Sequence, residues 1–306
     1  MVCARLAVTL AAAWYIFRQV DWVTLLQLLG RADTLRLALA AILLAVQLLI
    51  MAWRWQIVIE LLGGPTVAVA PLVMALGRGM LLGQPLPSTV GGDVVRTVVV
   101  SPRVGFALAA RSVICDRVLA LAVLVALVVI TLPLFSWLVE AGRAFATLAV
   151  VSIAGLATFV TILVHPGLLS AVPRLGAHWA TLVSDLRRAF TGGSRGLAAL
   201  LLSLATHIFG ILLIYELARA VATPISLLAC LLIVPPTLLI ASVPISLGGW
   251  GLREGALAAG FVLVGATPEA GVATSILFGL TGPLIGLLTE LASPLMRMGA
   301  LPSKDA

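Results

Sequence analysis

Charge is scarce in this chain. Of its 306 residues only 10% are Asp, Glu, Lys or Arg, while 62% are hydrophobic. Ordinary soluble domains carry about a quarter charged residues and about half apolar ones. With a mean hydropathy of +1.20, a water-soluble globular domain is excluded. Cysteine and histidine are equally sparse, three of each: Cys3, Cys115 and Cys230; His165, His178 and His207. They are dispersed without metal-type spacing, which excludes a disulfide framework or a zinc site and leaves them as packing residues. Walker loops, nucleophile elbows and metal-binding motifs are missing, so an ATP-driven pump within this chain is excluded and no cofactor is called for. Lysine is nearly absent too: Lys304 stands alone among 19 basic residues. The net charge of +7 rests on arginines scattered between apolar segments rather than gathered on one face. That pattern argues against a nucleic-acid partner and for positive charge holding loops on the cytoplasmic side.

What is present is a series of apolar runs, several reaching the ~20 residues that cross a bilayer. The amino-terminal "MVCARLAVTLAAAWYIF" resembles a signal peptide but is followed by further spans, so it is read as span 1, about residues 5 to 20. A short amphipathic stretch follows, with Trp22, Leu25, Leu26 and Leu29 on one face. Span 2 runs from Leu35 to about Leu62, and span 3 from about Phe106 to Leu132. Span 4 covers about Ala144 to Val164. After it, Leu175, Trp179, Leu182, Val183, Leu186 and Phe190 fall at helical spacing. This predicts an interfacial helix with Arg187 and Arg188 toward headgroups. Span 5 covers about Leu197 to Ala220, span 6 about Val272 to Leu291, and residues 293–306 form a cytoplasmic tail. The whole chain, 1–306, reads as one transmembrane domain.

Two regions, 67–101 and 225–264, are apolar yet broken by proline and glycine. The first holds Pro87, Ser88, Thr89, Val90, Gly91, Gly92, Asp93, Val94, Val95 and Arg96. The second holds Pro244, Ile245, Ser246, Leu247, Gly248, Gly249, Trp250, Gly251, Leu252 and Arg253. Both fit P-x-[ST]-φ-G-G-x-x-φ-R, with φ aliphatic. Every match is offset by the same interval, from Pro87 to Pro244 as from Arg96 to Arg253, close to half the chain. Corresponding interruptions in two halves point to a binding site between internal repeats, as in secondary transporters. Repeat A is placed at about 1–133 and repeat B at about 144–292. If each break is a re-entrant hairpin, spans 3, 4 and 5 separate them, and an odd number of crossings inverts one repeat relative to the other. Kinked helices with small-residue packing faces are the simpler alternative. The expected fold is therefore all-α and polytopic: two inverted repeats, each of three spans plus a broken-helix hairpin.

Orientation follows from the arginines. An inside amino terminus gives the cytoplasmic face Arg5, Arg103, Arg111, Arg174, Arg187, Arg188, Arg195, Arg297 and Lys304. The outer face then receives Arg18, Arg31, Arg36, Arg143 and Arg219. This asymmetry predicts both termini inside, in the cytoplasmic (inner) membrane.

A glycine pair opening a half-helix exposes amide N–H groups and the positive end of the helix dipole, a combination that attracts phosphate or carboxylate. Arg96 and Arg253 lie about one turn further in and can each add a bidentate phosphate donor. The expected substrate-binding set is Arg96, Arg253, Gly91, Gly92, Gly248, Gly249, Thr89 and Ser246, facing the anionic headgroup of a membrane lipid. Asp93, Asp116, Arg117, Glu254 and Arg78 are expected to balance charge or gate the site. Asp93 is matched to Arg96, Glu254 to Arg253, and Asp116 to Arg96 or Arg78. Proton coupling of these carboxylates is the sharper alternative to simple pairing. Arg54, between Trp53 and Trp55, and Glu290 near a span end are read as snorkelling to an interface. His207 and Glu216 are read as interhelical hydrogen-bonding residues rather than catalytic ones.

The stretches "LPSTVGGDVVR", "ARSVICDRVLALAVL" and "VPISLGGWGLREGAL" resemble the transmembrane, flippase-like region of bacterial lysylphosphatidylglycerol synthases and their stand-alone relatives. That superfamily also includes archaeal membrane proteins of dolichyl-phosphate glycan pathways and proteins linked to hopanoid transport. The three blocks occur in the expected order and the resemblance covers essentially the whole chain. It implies the translocation or presentation of a polar lipid such as a phospholipid, aminoacyl-phospholipid or polyprenyl phosphate. The separate soluble domain that transfers an aminoacyl group from tRNA in the two-part synthases is not among these residues. The resemblance therefore carries no synthase activity to this chain. Two other classes of function stay open at this level. One is a membrane enzyme, or enzyme partner, in polyprenyl-phosphate glycolipid synthesis; the other is a passive scaffold for a lipid-modifying complex.

Overall fold

Helix capping and hydrophobic length set the architecture. The computed structural model describes residues 20–83, 91–138, 143–165, 176–243 and 250–294, together with Thr9, Trp14 and Arg18. Apart from Thr9, Trp14, Arg18 and Val20, span 1 of the sequence reading lies outside the described residues, as does nearly all of the tail. Eleven helices are described: α1 Trp22–Gly30, α2 Thr34–Leu61, α3 Val69–Leu82, α4 Gly91–Val104, α5 Phe106–Leu138, α6 Arg143–Val164, α7 Gly176–Thr191, α8 Gly193–Ala220, α9 Leu227–Ser242, α10 Leu252–Leu263 and α11 Pro268–Leu291. No strand occurs among the described residues. A bilayer core offers backbone groups no water, so an all-helical chain is the expected outcome for a span-rich sequence.

Several starts are written locally. Asp33 caps α2, its carboxylate accepting from the Leu35 and Arg36 amides at 2.8 and 3.3 Å. Ser226 and Thr267 do the same for α9 and α11, and Pro268 occupies the first turn of α11, where its missing N–H costs nothing. Within the apolar helices, threonine hydroxyls donate to carbonyls one turn back, as Thr206 does to Leu202 and Thr289 to Ile285. Such back-bonding keeps a hydroxyl satisfied where water is absent.

Four helices are long and apolar enough to cross a membrane: Thr34–Leu61, Phe106–Leu134, Gly193–Ala220 and Pro268–Leu291. The helices of the two broken regions are shorter. α3 and α4 have 14 residues each, α9 has 16 and α10 has 12, all below the ~20 needed to span alone.

The order of elements repeats. The starts of α2 and α8 (Thr34, Gly193), of α3 and α9 (Val69, Leu227), of α4 and α10 (Gly91, Leu252) and of α5 and α11 (Phe106, Pro268) each lie about half a chain apart. Neighbour relations repeat with them. α3 packs on α4 and α4 on α5, as α9 packs on α10 and α10 on α11; α3 also packs on α11, as α9 does on α5. At the centre, α2 packs along its own counterpart α8. Arg36 near the start of α2 meets Glu216 near the end of α8 at 2.9 Å. Gln47 donates to the Thr206 carbonyl at 2.8 Å, and Glu60 at the far end of α2 faces Arg195 at 3.5 Å. These two corresponding helices therefore run antiparallel.

Glycines let the short helices come close. A Cβ at Gly79 of α3 would lie 2.9 Å from the Gly92 carbonyl oxygen of α4, and one at Gly92 would lie 2.8 Å from the Gly79 oxygen. On the other side of α3, a Cβ at Gly77 would lie 2.8 Å from Thr289 of α11. This is the small-residue packing that membrane helices use to bring backbones together.

Candidate functional site

The charged residues of the first half converge where α4 meets α2 and α5. Arg96, in the second turn of α4, is 5% exposed. Its Nη1 donates to Asp116 Oδ2 at 2.8 Å, and its Nη2 reaches Asp93 Oδ1 at 3.0 Å and the Val113 carbonyl at 3.3 Å. The guanidinium lies over the Trp55 ring, 5.1 Å from its centroid. Trp55 is fixed by its indole N–H donating to Ser112 Oγ at 3.0 Å. The other oxygen of Asp116 accepts from Arg54 Nε at 2.7 Å. Asp93 Oδ2 in turn accepts from Arg117 Nη1.

The result is a continuous chain of ion pairs, Arg54–Asp116–Arg96–Asp93–Arg117. Side-chain exposure rises along it, from 2% at Arg54 and Asp116 and 7% at Arg96 to 16% at Asp93 and 35% at Arg117. Its accessible end is thus Asp93 with Arg117. Three guanidinium groups face two carboxylates. One polar atom of the chain, Arg96 Nε, is buried with no hydrogen-bond partner among the described residues. Buried charges persist only when paired and hydrogen-bonded, so removing one member of such a chain costs about 3–5 kcal/mol.

The second half is built differently. Gly251, at φ +85°, precedes α10, a left-handed backbone that glycine adopts without penalty. Its N–H donates to Glu254 Oε2 at 2.6 Å. The other Glu254 oxygen accepts from Arg253 Nη2 at 2.7 Å and from Ser275 Oγ at 2.9 Å. Arg253 Nε donates to Ser275 Oγ at 3.0 Å. The Arg253 guanidinium lies over Trp250 and Phe278, at 4.8 and 5.5 Å from the ring centroids. One arginine thus meets one carboxylate, and both are buried. Phe278 also packs against the buried cluster that contains Trp55, which joins the two arginine sites through the apolar core.

The expected pairs Asp93–Arg96 and Glu254–Arg253 are both formed. Other expectations need correction. Asp116 faces Arg96 and Arg54, whereas Arg78 forms a two-pronged pair with Glu290 of α11 at 2.7 and 2.8 Å. Glu290 is therefore a partner across helices and not a snorkelling end group. Arg54 does not reach an interface: it is buried, because Asp116 on α5 gives its charge a partner at depth. His207 and Glu216 each make a hydrogen bond to another helix, as expected. His207 Nε2 is 2.8 Å from the Ala120 carbonyl, and Glu216 holds Arg36. Gly92 is explained by its close approach to α3, with Gly91 buried beside it at the start of α4. Thr89, Ser246, Gly248 and Gly249 lie outside the described residues.

Sequence reasoning did not single out Trp55, Ser112, Ser275, Phe278 or Gly279. Gly279 makes room on α11, since a Cβ there would lie 3.0 Å from the Trp250 ring. Each of these supports an arginine on another helix, Ser112 through Trp55, and only the aromatic residues carry any local signal, as cation–π partners.

No curated protein and no solved structure matches the chain. The family model described as the lysylphosphatidylglycerol synthase TM region matches residues 2–288. With nearly its whole length so matched, this multi-spanning membrane protein, organised around two buried arginine sites, belongs to that family.

Proposed function

We propose that the protein translocates an anionic polar lipid across the cytoplasmic membrane, with the first-half ion-pair chain receiving the headgroup. A lipid-related membrane role fits the family. The observation that carries the finer reading is the excess of one guanidinium on the chain Arg54–Asp116–Arg96–Asp93–Arg117, together with the unpartnered Nε of Arg96. A phosphate supplies the missing negative charge and accepts bidentate bonds from planar guanidinium groups. Asp93 is the carboxylate nearer the accessible end, so it is the group an incoming phosphate displaces from Arg117 and Arg96. The first turn of α4 adds the positive end of a helix dipole beside it.

In this reading the two halves are inverted repeats, and the short helices α3–α4 and α9–α10 are re-entrant hairpins. The antiparallel packing of the corresponding helices α2 and α8 supports the inversion, because a two-fold axis that exchanges antiparallel spans lies in the membrane plane. The second site, Arg253–Glu254–Ser275, serves as its neutral counterpart. Glu254 and Asp93 act as internal anions that hold each site closed between substrates. Both termini lie in the cytoplasm, as the arginine asymmetry requires.

Transport is tested in proteoliposomes with fluorescent phosphatidylglycerol and fluorescent phosphatidylcholine. Arg117→Gln removes a donor at the accessible end and leaves the deeper pairs in place. The loss of one charged hydrogen bond of about 1.5–3 kcal/mol slows phosphatidylglycerol movement by roughly tenfold or more. Unchanged movement in that variant, or equal movement of both lipids by the native protein, overturns the headgroup assignment. Turnover of a polyprenyl-phosphate glycolipid by the purified protein alone replaces transport with the enzyme reading.

A further inference from the structure

Close crossings at glycine sort the helices into two groups. In the first group α11 is the spine. A Cβ at Gly77 of α3 would lie 2.8 Å from Thr289 of α11, and one at Gly286 of α11 would lie 2.5 Å from the Gly77 carbonyl oxygen. α10 sits as closely on α11, where a Cβ at Gly271 would lie 2.7 Å from the Ala258 backbone. α4 joins through Gly79 and Gly92, and α9 through Gly260, where a Cβ would lie 3.1 Å from Ile233. Arg78–Glu290 also fastens α3 to α11. The second group is α2, α5, α7 and α8. A Cβ at Gly192, the residue before α8, would lie 2.6 Å from Leu61 of α2, and one at Gly196 of α8 would lie 3.1 Å from the Ala189 oxygen of α7. The ion pairs Arg36–Glu216, Glu60–Arg195, Arg54–Asp116 and Arg111–Asp185 hold this group together. α6 rests on it through Phe159 and Phe190, with ring centroids 5.2 Å apart.

None of these glycine crossings joins one group to the other. Where the groups meet, aliphatic side chains share one buried cluster: Leu72, Leu76 and Val100 from the first, Leu48, Ile59 and Val113 from the second. Among the described residues only two ion pairs bridge the groups, Arg96–Asp116 and Asp93–Arg117, both between α4 and α5. These two helices are linked by the single residue Gly105, at φ +82°, where a Cβ would meet nothing within 4 Å. Asp93 and Arg117 stand equally far from Gly105 in sequence, about 18 Å along each helix at 1.5 Å per residue. The grouping does not follow the two halves of the chain, since the corresponding helices α5 and α11 fall on opposite sides of it.

We infer that the two groups are two bodies that swing about Gly105, and that Asp93–Arg117 with Arg96–Asp116 is the latch between them. Helices whose backbones touch move as a unit, because a close-packed interior does not deform continuously. Aliphatic surfaces slide past one another, and ion pairs part and re-form. A latch at the far end of the lever gives the widest separation for the smallest turn at the hinge. Asp93, the more exposed carboxylate, is the member that lets go: without it Arg117 loses this carboxylate and only Arg96–Asp116 still bridges the bodies. The division into bodies stands on packing alone. That an anionic headgroup opens the latch, by taking the place of Asp93, rests on the reading proposed above.

The test measures distances between pairs of spin labels on the full chain, in a background lacking its cysteines, in phosphatidylcholine nanodiscs. Labels replace exposed residues: Val94 with Leu121 across the latch, Leu82 with Leu287 inside the first body, and Leu49 with Ile208 inside the second. Asp93→Asn raises the fraction of long Val94–Leu121 distances about tenfold, the effect of one charged hydrogen bond. Both internal distances stay as in the native protein, which also shows that the variant is folded. Arg117→Gln gives the same result from the other helix. A long-distance fraction that stays at the native level in both variants, or internal distances that change along with it, overturns the two-body division. In the native protein, phosphatidylglycerol in place of phosphatidylcholine raises the same fraction. Variants that open the latch while phosphatidylglycerol does not overturn the headgroup reading and leave the two bodies standing.

Discussion

At the scale of single residues, Asp116 holds the first site together. Among the described residues it is the only carboxylate that touches both Arg54 and Arg96, and it is buried against water. Asp116→Asn takes from Arg54 its carboxylate partner and leaves Asp93 to hold Arg96 and Arg117. The expected loss is about 3–5 kcal/mol of stability, read as a lowered thermal midpoint in detergent, whereas Asp93→Asn at the more exposed end costs less. Equal midpoints for the two variants would contradict the burial gradient. Part of this site was legible in the sequence. Asp93 and Arg96 are three residues apart on one helix, and their pairing follows from helical spacing. Arg54 and Asp116 are on different helices, and nothing local distinguishes a buried arginine between two tryptophans from one that snorkels. Only a partner on another helix decides between those readings.

At the scale of helices, the glycines in the broken regions do two jobs that the sequence alone does not separate. A glycine pair before an arginine reads as an anion cradle, and Gly92 does open the first turn of α4. Its lack of a side chain is nevertheless required by the backbone of α3, 2.8 Å from where a Cβ would sit. Gly79→Val pushes α3 from α4 and is expected to cost about 1–3 kcal/mol, the range for overpacking a tight contact. Gly155→Ala, facing open space, serves as the control and leaves the thermal midpoint unchanged or slightly raised. A Gly79→Val protein as stable as the native one would remove the close crossing as the reason for these glycines. The starts of α2, α9 and α11, by contrast, are written locally, because Asp33, Ser226 and Thr267 are strong caps directly before apolar runs.

Taken whole, the molecule pairs α2 with α8 in opposite directions and closes each end of the pair with an ion pair, Arg36–Glu216 and Glu60–Arg195. In a background lacking its cysteines, the double replacements Arg36→Cys with Glu216→Cys and Glu60→Cys with Arg195→Cys are expected to cross-link. Arg36→Cys with Arg195→Cys is not, since those residues stand at opposite ends. A cross-link in the last combination would mean that the helices run parallel. The repeated order of helices had a signal in sequence, because two ten-residue motifs keep matching residue types half a chain apart. The pairing of α2 with α8 was not, since apolar spans carry almost no pattern that marks which neighbour they choose.

The inequality of the two arginine sites has an electrical consequence. Counted over its named groups, three guanidiniums and two carboxylates, the first site carries one net positive charge, which the singly charged phosphate diester of the proposed substrate would neutralise. The second site, one arginine with one glutamate, is neutral already. If the proposed headgroup reading holds, a membrane potential exerts force on the first site without its lipid and none on the filled one, with a full crossing corresponding to about 2.3 kcal/mol per charge for each 100 mV. Under that proposal, the step that voltage biases is the return of the unloaded protein, not the passage of the lipid.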